Sequence, residues 1–167
     1  MHIRQATPAD YDEIYTLVKT AFSTAQVSDG TEQDFVLELR RRPGFLPELE
    51  LVAEEDGRLF GHIMLTQQEV KGRQVNALLL APLCVEIGRR GKGLGGQLIW
   101  EGARLAEDMG YTAVFLMGNP AYYGRFGFRP VTDFNLGNDT DVPDPFVQAK
   151  ELVPGALDGK GGSVYLA

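Results

Sequence analysis

Val85-Glu86-Ile87-Gly88-Arg89-Arg90-Gly91-Lys92-Gly93-Leu94-Gly95-Gly96 holds five glycines and three basic residues in twelve positions. An apolar run, Gln74 to Val85, reads as a long buried strand, and Leu94, Leu98, Leu105 and Met109 continue beyond the loop at helical spacing. A strand that enters a glycine loop opening a helix points successive backbone N–H groups at one spot. The helix dipole adds positive potential there, so a pyrophosphate fits. Glycines let the backbone approach closely, and Arg89, Arg90 and Lys92 make the loop locally basic. The helix is expected to run to Gly110, a C-terminal stop.

Three phosphate-loop patterns compete with a plain glycine turn. A Walker loop fails, because no Gly-Lys-Ser/Thr closes the stretch. Gly91, Gly93 and Gly96 satisfy the dinucleotide pattern G-x-G-x-x-G. Against it, Met117-Gly118-Asn119 ends the next strand without a carboxylate for a ribose, and this is not the first βαβ unit. The third pattern is Arg-x-x-Gly-x-Gly, at Arg90, Gly93 and Gly95. It resembles motif A of the GNAT superfamily of acetyl-CoA-dependent N-acetyltransferases, and Leu83-Cys84-Val85 resembles that motif's strand end. Asn119-Pro120-Ala121-Tyr122-Tyr123-Gly124-Arg125-Phe126-Gly127-Phe128 resembles motif B, a tyrosine followed by Gly-Phe. With the opening Ile3 to Asp10, the Val52 to Gly57 hairpin and Pro154 to Leu157, the chain is similar to the YhbS-like branch over nearly its whole length.

The resemblance implies a single N-acetyltransferase domain over residues 1–167, of α/β (α+β) class. Its central mixed, mostly antiparallel sheet would carry helices on both faces and split between the strand ending at Val85 and the one beginning near Thr112. Acetyl-CoA, the implied cosubstrate, would meet Leu83, Cys84 and Val85 along its pantetheine. Arg90, Gly91, Lys92, Gly93, Leu94, Gly95 and Gly96 would hold its pyrophosphate, with Asn119 and Tyr122 also in contact. An amine would attack the thioester directly, the Val85 amide would face the oxyanion, and Tyr123 matches the general-acid position; a phenol of pKa about 10 is protonated at neutral pH. The competing role for Tyr123 is an aromatic core residue whose hydroxyl caps a backbone group. No base is assigned: Asn76 to Val85 lacks a carboxylate, Glu86 lies after the strand, and Glu69, Asp29 and Glu32 sit on flanking segments. A non-catalytic acyl-CoA-binding domain is the alternative.

Elsewhere, Thr7-Pro8-Ala9-Asp10 starts a helix carrying Ile14, Leu17, Val18, Ala21 and Phe22 on one stripe. A second helix is expected over Thr31 to Arg41, with Phe35, Val36 and Leu39 inward and Arg40-Arg41-Arg42 solvated at its end. Strands are expected at His2 to Gln5, Leu49 to Ala53, Leu59 to Gln68, Thr112 to Met117 and Ser163 to Leu166, with a polar loop at Asn138 to Pro145. The expected order is β-α-α-β-β-β-α-β-α-β.

A net charge of −7 over 167 residues argues against a nucleic-acid partner and suits a cationic amine. The opening residues lack a signal peptide's apolar core, and no apolar run is long enough for a bilayer, so a cytoplasmic protein without a membrane partner is expected. One cysteine and two histidines predict no metal centre. Cys84 reads as a small hydrophobe rather than an acetyl carrier, and His62 as a half-buried structural residue. A homodimer is compatible with the resemblance. The acceptor is expected near Phe22 to Gly30 and Phe134 to Phe146.

Overall fold

The structure is a computed structural model describing residues 1–25 and 28–167, so Gln26 and Val27 of the expected acceptor segment lie outside the described residues. The chain runs β1 (His2–Gln5), α1 (Tyr11–Phe22), α2 (Glu32–Arg41), β2 (Glu50–Glu55), β3 (Arg58–Gln68), β4 (Ala77–Val85), α3 (Leu94–Asp108), β5 (Ala113–Met117), α4 (Pro120–Tyr123), β6 (Arg129–Pro130), β7 (Gly137–Asn138), β8 (Val147–Glu151) and β9 (Ser163–Val164). The mixed α/β fold has a seven-stranded sheet, β1-β2-β3-β4-β5-β8-β6, and a small sheet of β7 and β9. It divides into two compact units, Met1–Thr66 with Ala81–Leu105, and Gln67–Leu80 with Ala106–Ala167.

In the first unit β1, β2 and β3 pair antiparallel. The hairpin turns on Asp56 and Gly57, both at positive φ (51° and 76°), the geometry that matches the twist of the flanking strands. Helices cover both faces of this unit's sheet, as expected. On one face Ile14, Leu17, Val18, Ala21, Val36 and Leu39 pack with Val52, Met64 and Cys84, and Phe35 joins them partly buried. On the other, α3 approaches so closely that a Cβ at Gly61 would lie 2.9 Å from Leu98 Cδ1, and one at Gly102 2.9 Å from Leu65 Cδ1. That contact corrects the expected face of α3. Gly102 and Ala106 are buried with Leu94, Leu98 and Ile99, whereas Leu105 is half-buried and Met109 is 38% exposed. Small residues win the inward positions because they let helix and sheet backbones close up.

The Thr7-Pro8 signal opens a 3₁₀ turn, Pro8–Asp10, with Thr7 and Asp10 as its capping box, and α1 follows at Tyr11. The Asp10 carboxylate accepts from the Thr7 N–H at 2.8 Å and the Thr7 hydroxyl at 3.1 Å, and Arg4 holds it at 2.8 and 2.9 Å.

In the second unit β4 and β5 run parallel, with Ala77, Leu78 and Leu79 opposite Ala113, Val114 and Phe115. β8 pairs antiparallel with β5 and, on its other edge, with β6. The expected strand order lacked β6, β7 and β8. β4 begins at Ala77 rather than Gln74, and before it the Arg73 side chain donates to the carbonyls of Gly161, Leu157 and Phe134 at 2.7, 2.7 and 3.0 Å.

Candidate active site

In the first unit, β4 changes character along its length. Ala81, Leu83 and Val85 are half-buried while Pro82 and Cys84 are buried, so the strand's end shows one apolar face. Cys84 turns its thiol into the core beneath α1 and α2, leaving only its backbone for a ligand. Burial pushes that thiol up to about 12, too high for a thiolate at neutral pH, which removes the acyl-carrier reading.

Beyond β4, Gly91 and Gly93 adopt φ of 77° and 82°, a region open to glycine and strained for other residues. A Cβ at Gly88, Gly91 or Gly93 would meet nothing within 4 Å, so the loop borders open space. The Gln97 N–H donates to the Gly93 carbonyl at 3.1 Å, which makes Gly93 the cap of α3. The amides of Leu94, Gly95 and Gly96 therefore fall in the first turn, where no intrahelical acceptor exists. The basic residues divide their work. Arg90 donates to the Val85 carbonyl at 3.2 Å and the Ala21 carbonyl at 2.6 Å, tying the loop to β4 and α1. Arg89 pairs with Glu55 at 2.5 Å and lies 3.6 Å over the Phe60 ring. Lys92 is exposed and meets no hydrogen-bond or ion-pair partner among the described residues.

In the second unit, Asn119 caps α4, its side chain accepting from the Ala121 N–H at 2.9 Å and its carbonyl from Tyr122 and Tyr123 at 3.0 Å. Tyr123 lies edge-on to Tyr122 (4.9 Å between centroids) and Phe128 (5.9 Å), with its ring against Gly118. Burial, then the neighbouring Tyr122, raise the Tyr123 phenol above its ordinary value. Burial raises Tyr122 as well, opposed by Arg125 over its ring at 4.8 Å. No described group hydrogen-bonds the Tyr123 hydroxyl, so it caps no backbone among the described residues.

Other candidates are engaged elsewhere. Glu86 pairs with Arg58 at 2.8 Å. Asp29 accepts from Thr31, and Glu32 from Ser28. His62 is fully buried rather than half-buried and contacts Glu50 at 2.8 Å. Arg40 grips the same carboxylate at 3.0 and 2.6 Å and stacks on Tyr11, so it is buried where solvation was expected. Sequence reasoning missed this network. Its signal was Glu50 alone between Leu49 and Leu51, a carboxylate in an apolar run that requires a cation. Among the described residues no cluster of three or more metal-binding side chains occurs, and no helix is long and apolar enough to cross a membrane.

The sheet is mixed, with a parallel β4–β5 pair, and a glycine turn opens α3, which places the fold in the α/β class. Residues 2–131 match the acetyltransferase (GNAT) domain, and the chain belongs to the GNAT family. The uncharacterised N-acetyltransferase YhbS of Escherichia coli (strain K12) is 34% identical over 165 residues, 98% of this chain and 95% of its own. The crystal structure of YhbS from Escherichia coli in complex with CoA is similar at a TM-score of 0.88 and 32% identity, covering 98% of this chain and 87% of that one. A GNAT family acetyltransferase from Brucella melitensis in complex with acetyl-CoA aligns at a TM-score of 0.80 and 32% identity, over 99% and 96% of the two chains.

Proposed function

We propose that residues 1–167 act as one N-acetyltransferase domain, moving an acetyl group from acetyl-CoA to a primary amine by direct attack, with Tyr123 as the general acid. The observation that carries the cosubstrate is the Gly88–Gly96 turn: two glycines at positive φ, no atom above them, and a fifteen-residue helix opening at Gly93. The first-turn amides of α3 would hold the pyrophosphate, with Lys92 adding a point charge. Arg90 acts one step back, fixing the loop's shape through Val85 and Ala21. Relatives 32% identical over nearly the whole chain hold CoA or acetyl-CoA, which supports the same ligand here.

The half-buried apolar face of Ala81, Leu83 and Val85 suits a pantetheine chain. The amine nitrogen bonds to the thioester carbon, the carbon–sulfur bond breaks, and Tyr123 gives its proton to the departing sulfur. The amine's own proton passes to water. A phenol held above its ordinary value is protonated when the thiolate forms, and the strongly basic phenolate left behind regains its proton from water. Its hydroxyl, free of any described partner, is available for that role. The cytoplasm is the compartment we assign, where reducing conditions suit a lone buried thiol.

Thiol release from acetyl-CoA across a panel of primary amines tests the reading. Tyr123→Phe is expected to lower kcat by about 10²-fold or more, the scale of a lost general acid, with acetyl-CoA affinity unchanged. Full turnover in that variant would reject the acid role. Tight acetyl-CoA binding with no transfer to any amine would favour a non-catalytic acyl-CoA-binding domain.

A further inference from the structure

The turn bearing Tyr123 is held at both ends by one strand. Gln148 and Lys150 are two apart in β8, so strand alternation puts them on the same face, opposite Leu116 and Val114 of β5. The Gln148 side-chain amide donates to the Gly118 carbonyl at 3.0 Å, and the Lys150 ammonium donates to the Phe126 carbonyl at 2.7 Å. Gly118 and Phe126 bracket the tyrosine segment. Its four-residue helix α4 is far too short to be stable alone, so its geometry depends on what grips the ends.

Both grips go against simple packing. Gln148 is fully buried, and its Oε1 has no hydrogen-bond partner. An apolar side chain of similar size would fill that place without stranding an acceptor. Lys150 is half-buried, and burial lowers its ammonium from the ordinary lysine value. Two desolvated polar side chains on one strand face both end on carbonyls of the same short segment. Between those carbonyls the Tyr123 ring rests on Gly118, where a Cβ would come within 2.8 Å of its Cδ2 and nearer still to Cε2. A shift of either end therefore moves the ring.

We propose that Gln148 and Lys150 are positioning residues that clamp the Gly118–Phe126 segment and thereby set where the Tyr123 hydroxyl lies. The catalytic meaning of the clamp rests on the reading of Tyr123 as general acid; the clamp itself does not.

The test uses the full chain labelled with [¹³Cζ]tyrosine, the Tyr123 resonance being identified by its loss in Tyr123→Phe. Gln148→Glu keeps the shape but removes the donor, and Lys150→Met removes the ammonium. Both are expected to shift or broaden the Tyr123 signal while Tyr11, Tyr15, Tyr111 and Tyr165 keep theirs, and Lys150→Arg is expected to restore it. An unmoved Tyr123 signal in both donor-less variants overturns the clamp. With acetyl-CoA and hydroxylamine, a small uncharged nucleophile, as probes, kcat is expected to fall about 10- to 100-fold. The acetyl-CoA KM should stay within about twofold, and the loss should vanish in a Tyr123→Phe background. A loss that persists in that background overturns action through Tyr123. Should Tyr123→Phe alone keep full turnover, the acid assignment fails while the resonance still decides the clamp.

Discussion

Glu50→Gln changes one atom's identity and removes a charge from the most buried polar network of the first unit. The Glu50 side chain is 1% exposed, with Arg40 at 8% and His62 at 0%, and it accepts three hydrogen bonds, at 3.0, 2.6 and 2.8 Å. A glutamine offers one acceptor oxygen and an NH₂ group turned toward other donors, so at least one bond is lost. The Arg40 guanidinium is then left as a buried charge without its counter-ion. Breaking a buried pair from one side costs about 3–5 kcal/mol, a large part of the roughly 5–15 kcal/mol that holds a domain together. Urea denaturation of the variant should show that loss at an unchanged m-value. Replacing both partners, Arg40→Met with Glu50→Leu, should recover the part of the loss due to the stranded guanidinium, leaving the roughly 1–3 kcal/mol of a buried His62 nitrogen without its partner. Burial pushes the Glu50 carboxyl up, but the hydrogen bonds and charges of His62 and Arg40 outweigh it and hold it below its ordinary 4.5. A lowered folded-state value gives stability that is fully present above 4.5 and lost as pH falls through the folded value. The gap between wild type and Glu50→Gln should therefore be flat above that point and narrow in acid. A cost below about 1 kcal/mol at neutral pH, or a gap that widens in acid, would refute the reasoning.

Gly118→Ala places a Cβ 2.8 Å from Tyr123 Cδ2 where ordinary contact begins at 3.4 Å, so the ring must give by at least about 0.6 Å. On the scale of about 10²-fold per ångström of misplacement, turnover should fall some tenfold with acetyl-CoA affinity kept; steady-state kinetics showing wild-type turnover would contradict it. Cys84→Ala should leave turnover within about twofold, and a thiol reagent at neutral pH should label the native protein only on unfolding, because the thiol is 5% exposed and raised to about 12. Rapid labelling of native protein would reject that inertness.

What the sequence made legible followed strong local chemistry. The Asp56-Gly57 hairpin, the helix start at Thr7-Pro8 and the strand–glycine–helix passage around Gly93 each depend on residues within a few positions, and each formed within a residue or three of its expected place. β8 was missed although Val147-Gln148-Ala149-Lys150 alternates, because the run is short and its polar Gln148 is buried as fully as its apolar neighbours, through a bond to Gly118 thirty residues away in sequence. β6 hides behind Pro130, and its two residues become a strand only by pairing with β8. The expected face of α3 holds at Leu94 and Leu98, which are buried, and fails at Leu105 and Met109, where the small Gly102 and Ala106 take the inward positions instead. Among the candidate site residues, the glycines were read as places of close backbone approach, and Gly91 and Gly93 take positive φ, while the arginines were read by charge alone. Arg40 and Arg90 are spent on a buried carboxylate and on two carbonyls, partners set by tertiary packing.

Acetyl-CoA binding stands or falls with the proposed cradling of its pyrophosphate by the Gly88–Gly96 turn. Calorimetric titration of the protein with acetyl-CoA, beside NADH and ATP, addresses it most directly, with Gly93→Asp as the paired variant. That aspartate would stand at φ of 82° and project a carboxylate into the open space above the turn. Saturable binding of acetyl-CoA alone is expected, lost in Gly93→Asp while circular dichroism shows the variant folded. No binding to the folded wild type, or unchanged affinity in Gly93→Asp, would contradict it.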